Sequence, residues 1–348
     1  MSIEQKLEVI CGNIPELDMG WAKCAKTRFN ESFLQGGGLG TLVEPASIVA
    51  AINEDLLSGI KSKMLYMVAA DHGLLRNFDV STFGSDFLNE ASQAILNNKS
   101  AGTITAKASG VKVRLIDAGI KGKIEKHRHY IEIGKRISAD ITIENAFSRN
   151  ETLEAIGAGV GLVEVGVRAT MDCIAVASLG VGAELSALSL LGAITDLKAE
   201  QLLDNTDEKY TQKRTVINKS INRTNKNQNA IDLLATIGGA DIAALVGICL
   251  SGAFYRRPIV LDGIASLVAG IIACELAPEV RGYLLAAQEG YDNATDRALE
   301  CLQVPAIIDM GIGEGDGTAA SIALNVLDTS MQLLNKLPTC KNVGINKI

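Results

Sequence analysis

Glu314 sits in a glycine ladder, in which Gly311, Gly313, Gly315 and Gly317 alternate with Ile312, Glu314 and Asp316. A short apolar run, residues 304–310, leads into the ladder and a helical pattern follows it, which predicts strand, glycine loop, helix over 304–321. Glycine lets the backbone approach a ligand closely, and the helix N-terminus beyond offers N–H groups to an anion. The competing expectation is a tight βα turn carrying two solvated acids.

The elements that position this loop repeat its pattern. Five apolar runs end at an acid beside or near glycine: 64–70 at Asp71, 111–116 at Asp117, 158–164 at Glu164, 258–261 at Asp262, and 304–310 at Asp309 with Glu314. Helical patterns separate them. A helix carries Ile48, Ile52 and Leu56, and another carries Phe87, Ala91 and Ile95. Ser148 and Glu151 form a capping box, a helical pair fills 171–191, and buried helices span 241–254 and 264–277. The last helix keeps Leu324, Leu327, Met331 and Leu334 on one stripe. Strands alternating with helices predict an α/β fold, a doubly wound parallel sheet with right-handed crossovers. Ligands bind beyond the carboxyl ends of such strands, so acids gathered there point to function, although helix capping also accounts for Asp71 and Asp262.

Composition narrows the function classes. The chain has 348 residues, 47% apolar but only 4% aromatic, so its core is built from Ala, Val, Ile and Leu. A net charge of −7 argues against a nucleic-acid groove, and the one basic cluster, 121–129, reads as a solvated surface loop. Seven cysteines show no CxxC and no metal spacing with the three histidines, which predicts core thiols in a reducing cytoplasm and no metal. The first residues contain no apolar signal segment. The longest uncharged apolar runs, 242–255 and 263–274, fall short of the roughly 20 residues a membrane span needs. A dehydrogenase is set aside, because no GxGxxG follows a first strand with an acid about 20 residues on.

Five segments occur in an order that is specific: GGGLGTLVE (36–44), ADHG (70–73), IGGADIAALVG (237–247), VLDGIAS (260–266) and IGEGDG (312–317). By these the chain resembles the nicotinate-nucleotide–dimethylbenzimidazole phosphoribosyltransferase family, over about residues 33 to 335. The resemblance implies a Rossmann-like catalytic domain, 61–318, with a small helical domain formed by both chain ends, 1–60 and 319–348. It implies a dimer with active sites near the subunit interface. The implied reaction moves the phosphoribosyl group of nicotinate mononucleotide to an aromatic lower-ligand base of cobamides, with inversion at the anomeric carbon and no cofactor. Glu314 then matches the general base; a carboxylate in a dehydrated loop has a raised pKa suited to that task. Glu164 matches a second, assisting carboxylate, and Lys213 a contact to the nucleotide phosphate. Gly313 and Gly315 flank the base, while Asp71 and Asp262 match loop-organising acids.

The departures from the family pattern are equally specific. After Glu164 the resemblance calls for a glycine and then Asn-Thr-Thr; here Gly166, Arg168 and Thr170 stand in that stretch. Residues 199–204 carry none of the glycines of the family's phosphate loop. Either Arg168 and Lys213 hold the phosphate by charge, or the chain's own nucleotide site is degenerate. Around Ser81 and Ser85 a longer polar side chain and a proline are missing, so a second ring nitrogen on the acceptor goes unrewarded. That points to a different acceptor, such as a phenolic compound, or to no acceptor at all, so the acceptor class stays benzimidazole-like or phenolic. The alternative function is a catalytically silent subunit that dimerises with an active homologue.

Overall fold

Residues 63–70 are buried along their whole length, as a strand covered on both faces must be. In the computed structural model, which describes residues 2–32, 36–84, 86–134, 136–204 and 209–344, they form the first of seven strands. These are β1 (Lys63–Ala70), β2 (Lys112–Gly119), β3 (Tyr130–Glu132), β4 (Cys173–Leu179), β5 (Ile259–Leu261), β6 (Leu284–Gln288) and β7 (Ala306–Ile308). The sheet order is β3-β2-β1-β4-β5-β6-β7, and every neighbouring pair is parallel. The chain winds outward from β1 to one edge, then resumes beside β1 at β4 and winds to the other. That is the doubly wound α/β fold, and its topological switch point lies between β1 and β4.

Strand alternation sends side chains into two cores. Met64, Tyr66 and Val68 enter one, and Leu65, Met67 and Ala69 the other. The first core is covered by α1 (Ile3–Cys11) and by α6 (Arg149–Arg168), α7 (Ala183–Thr195), α8 (Ala199–Leu202), α9 (Tyr210–Ile221), α10 (Ala230–Ile237), α11 (Ala240–Phe254), α12 (Gly263–Leu276) and α13 (Asn293–Leu302). The second is covered by α2 (Met19–Glu31), α3 (Val43–Asn53), α4 (Phe87–Leu96), α5 (Ala101–Ala108) and α14 (Thr318–Lys336). Leu324, Leu327, Met331 and Leu334 face the core from α14, as their spacing predicts. Arg28 on α2 donates to the carbonyls of Leu334 and Asn335, tying the two chain ends together.

Two expectations are corrected. Residues 158–164 are not a strand but the middle of α6, whose capping box at Ser148 and Glu151 is present as predicted. The glycines that looked like strand punctuation serve helix packing instead. A Cβ on Gly159 would lie 2.0 Å from the Ala244 carbonyl, and one on Gly247 2.0 Å from that of Ile156, so only glycine lets α6 and α11 approach this closely. The expected helical pair over 171–191 is one strand, β4, followed by one helix, α7. Strand β6 had no expectation at all. Among the described residues no helix is long and apolar enough to cross a membrane.

Candidate active site

A cleft of about 980 Å³ opens at the carboxyl edge of the sheet. Its walls are the β4–α7 turn, the β5–α12 turn, the glycine ladder after β7, the loop around Ser81, and Lys209 and Lys213 from the start of α9.

The ladder is tied down on several sides. Gln288, the last residue of β6, donates from Nε2 to the Ile312 carbonyl at 2.6 Å and accepts the Ile312 N–H at 2.8 Å. Tyr291 donates its hydroxyl to the Gly313 carbonyl at 2.8 Å and lays its ring against that glycine. Asp316 accepts from the Gly102 N–H at the start of α5 (2.9 Å) and from the Thr318 N–H at the start of α14 (3.0 Å). Gly315 and Gly263 both have positive φ and meet back to back; a Cβ on Gly263 would lie 2.7 Å from the Gly315 Cα. Side chains would be strained and crowded at both positions.

Glu314, at the centre of this scaffold, is exposed to the cleft. The expected dehydration of the loop is therefore absent: the ties run through backbone groups and leave the carboxylate in water. Asp262 is the enclosed acid. It is 2% exposed and accepts the Ala320 N–H at 3.0 Å, capping α14 from the end of β5. Burial pushes its carboxyl up to about 7 and the charge of Asp316 adds to the effect, against the backbone N–H groups of α14. Asp71 is buried but does not line the cleft. It accepts the Lys121 N–H at 2.7 Å, joining the ends of β1 and β2, and burial raises its carboxyl.

Behind the β4–α7 turn lies a buried polar chain. Ser186 meets His72 Nδ1 at 3.1 Å, His72 Nε2 meets Asp241 at 3.4 Å, and Ser178 donates to the same Asp241 oxygen at 2.9 Å. Burial acts to raise the Asp241 carboxyl, but His72, the Ile242 N–H and Ser178 leave it below its ordinary range. Gly182 packs on His72, so this chain fixes the turn that opens α7. In the first turn of α7, Glu184 pairs with Lys213 across 3.3 Å.

The structure thus brings together Glu314, Gly313, Gly315, Asp262, Lys213 and Ser81 in one cleft. Ser81 accepts the Phe83 N–H, and Phe83 and Phe87 stack at 4.0 Å in the same wall. Ser85 lies outside the described residues. Glu164, Gly166, Arg168 and Thr170 are not in the cleft. They belong to the last turns of α6 and the turn before β4 begins, hence to the opposite edge of the sheet. Glu164 pairs there with Lys6 at 2.7 Å, and Gly166 packs on Tyr66 and Met171. The cleft residues that sequence reasoning missed are Ser178, Gly180, Gly182, Glu184 and Tyr291, with Gln288 supporting the ladder from behind. The turn was legible: the apolar run 173–179 followed by Gly180 and Gly182 repeats the strand–glycine–helix pattern of the ladder. No sequence signal marks Gln288.

Fold and cleft together define a doubly wound α/β protein of the kind that binds ligands across its switch point, with a cleft between a glycine loop bearing Glu314 and Asp316 and the start of α9 bearing Lys209 and Lys213. The sequence profile of the family described as Phosphoribosyltransferase matches residues 14–345, and the chain belongs to that family. The nicotinate-nucleotide–dimethylbenzimidazole phosphoribosyltransferase of Geobacter sp. (strain M21) is 26% identical over 346 residues, 97% of this chain and 99% of that protein. That of Geobacter metallireducens is 28% identical, covering 96% of each. The crystal structure of the protein so named from Thermus thermophilus superposes with a TM-score of 0.90 at 23% identity, covering 95% of this chain and 100% of that one, which shows a common fold.

Proposed function

We propose that the chain transfers the phosphoribosyl group of nicotinate mononucleotide to an aromatic lower-ligand base in cobamide biosynthesis and releases nicotinate. The observation that carries this is the meeting of Glu314, Lys213 and the Phe83–Phe87 stack in one cleft at the carboxyl edge of the sheet. In the transfer, a lone pair on the acceptor nitrogen or oxygen attacks the ribose C1′. The C1′–N bond to nicotinate breaks with its electron pair retained by the ring nitrogen, which neutralises the pyridinium. Glu314 takes the acceptor's proton. Because Glu314 stands in water before substrate arrives, an acceptor stacked on the aromatic wall supplies the exclusion of water that makes the carboxylate a stronger base. Lys213 serves as a point charge for the phosphate.

The acceptor wall offers Ser81, Thr82, Phe83 and Phe87, and no long polar side chain among its described residues. The Ser81 oxygen is engaged by the Phe83 N–H. A phenol, with one polar atom, suits this wall better than a benzimidazole with two. The catalytic unit 61–318, the smaller helical unit of 1–60 and 319–348, and a homodimer or heterodimer with a homologous subunit belong to the same proposal.

The test is nicotinate release by the purified chain given mononucleotide and either dimethylbenzimidazole or phenol. Glu314→Ala is expected to lower kcat by about 10²–10⁴-fold with little change in nucleotide affinity. Turnover that survives the substitution would remove Glu314 from the mechanism. A second function, a silent subunit supporting an active homologue, is favoured by one observation. Residues 199–202 form the short helix α8, and Leu202 and Leu203 turn apolar side chains to the cleft where a loop of free amides would hold phosphate. Turnover that appears only on adding a homologous subunit would decide for it.

A further inference from the structure

The transfer proposed above brings a nucleotide phosphate to Lys213, and a carboxylate of this chain already stands there. Glu184 Oε2 is 3.3 Å from Lys213 Nζ, with the lysine side chain 14% exposed and the glutamate 50% exposed. Glu184 lies in the first turn of α7, a helix of 13 residues, directly beyond the Gly180–Gly182 turn that lines the cleft. The first-turn N–H groups and the helix dipole favour a negative group at this place. The surrounding charge does not favour a second one. Asp204, Asp262, Asp292, Glu314 and Asp316 also line the cleft, and Lys209, the other lysine in its wall, pairs with Asp79 at 2.5 Å.

We propose that Glu184 is a specificity-determining residue of this cleft: its carboxylate holds the place on Lys213 and α7 that a substrate phosphate takes, so a phosphorylated ligand must displace it and an unphosphorylated riboside need not. The identity of the ligand rests on the phosphoribosyl transfer proposed above, whereas the competition between Glu184 and an anion is a property of the cleft itself. Glu184 is half exposed, so displacement requires only a side-chain rotation toward solvent. What it sets is affinity for the phosphate group, and therefore KM for the nucleotide rather than kcat.

Two measurements test this. In the first, inorganic phosphate is titrated into the full chain and Tm is followed, since an anion that binds the folded state raises it. Glu184→Gln, and Glu184→Ala as a second variant, are expected to gain a phosphate-dependent rise absent from the wild type, and adding Lys213→Met to either removes it. Equal responses in wild type and both variants would overturn the proposal, as would a rise that persists without Lys213. In the second, kcat/KM is compared for nicotinate mononucleotide and nicotinate riboside. Glu184→Gln is expected to raise the nucleotide-to-riboside ratio about tenfold, through KM, one ion-pair's worth of affinity. An unchanged ratio counts against Glu184. If neither compound releases nicotinate with any variant, the proposed reaction fails, and the phosphate titration still decides the role of Glu184.

Discussion

Asp262→Asn keeps the shape of a buried side chain and an oxygen for the Ala320 N–H while removing a group that titrates. In the native protein this carboxyl is enclosed at the end of β5 and pushed up to about 7, first by burial and then by Asp316. Its ordinary value is 3.8, so between the two values the folded protein holds a proton that the unfolded chain has released. Folded Asp262 is therefore a source of instability that grows as pH rises through this window, the reverse of a salt-bridged aspartate. At about 1.4 kcal/mol for each pH unit within the window, the wild type loses about 3 kcal/mol from this group between about pH 5 and about pH 8. Urea unfolding of both proteins at a series of pH values measures it directly. Asp262→Asn is expected to gain about 3 kcal/mol relative to the wild type across the range, as the charge it lacks is the one that is buried. Asp316→Asn should shift the wild-type transition to lower pH, because it removes the neighbouring charge. A stability difference that stays flat within about 1 kcal/mol from end to end would refute the account of Asp262 as an enclosed, proton-holding cap.

Other substitutions separate the scaffold from the chemistry. Gln288→Leu strands both backbone groups of Ile312 and should cost about 2–4 kcal/mol in chemical denaturation, with a fall in kcat, since the ladder loses its tie to β6. Glu164→Gln should change turnover less than about twofold and stability by less than about 1 kcal/mol, because its partly exposed ion pair with Lys6 lies at the far edge of the sheet; a large loss of kcat would place it back in the mechanism. Gly317→Ala must hold a side chain at φ 89 with its Cβ 2.5 Å from Leu65, and should cost about 1–3 kcal/mol, read as a lowered Tm.

The sheet was largely legible because its central strands announce themselves. Residues 64–70 are a continuous apolar run and 111–116 alternate apolar and basic residues before Leu115 and Ile116; each ends in acid and glycine, and both are strands. The same rule failed at 158–164. An apolar run interrupted by Gly159 and Gly161 has the composition of a strand, and only the approach of α11, whose Ala244 carbonyl lies against Gly159, reveals the run as a packed helix. That error carried Glu164, Gly166, Arg168 and Thr170 into the expected site. The turn at Gly180 and Gly182 shows the very pattern that identified the ladder, but 171–191 reads as a helical pair because small and apolar residues run through most of it. Glu314 and Lys213 were placed by resemblance, and the cleft holds both. Gln288 could not be read, since its function is to match the N–H and carbonyl of a single residue 24 positions away.

The moorings of the glycine ladder bear on the role proposed for Glu314. Four glycines within seven residues make a segment with unusually large backbone freedom in the unfolded chain, and folding restricts it through Gln288, Tyr291, Asp316 and the Gly263 contact. The ladder is thus held at Ile312, Gly313, Gly315 and Asp316 by the fold itself. In the proposed transfer, the search for a reactive geometry is then confined to the side-chain torsions of Glu314 and to the bound acceptor.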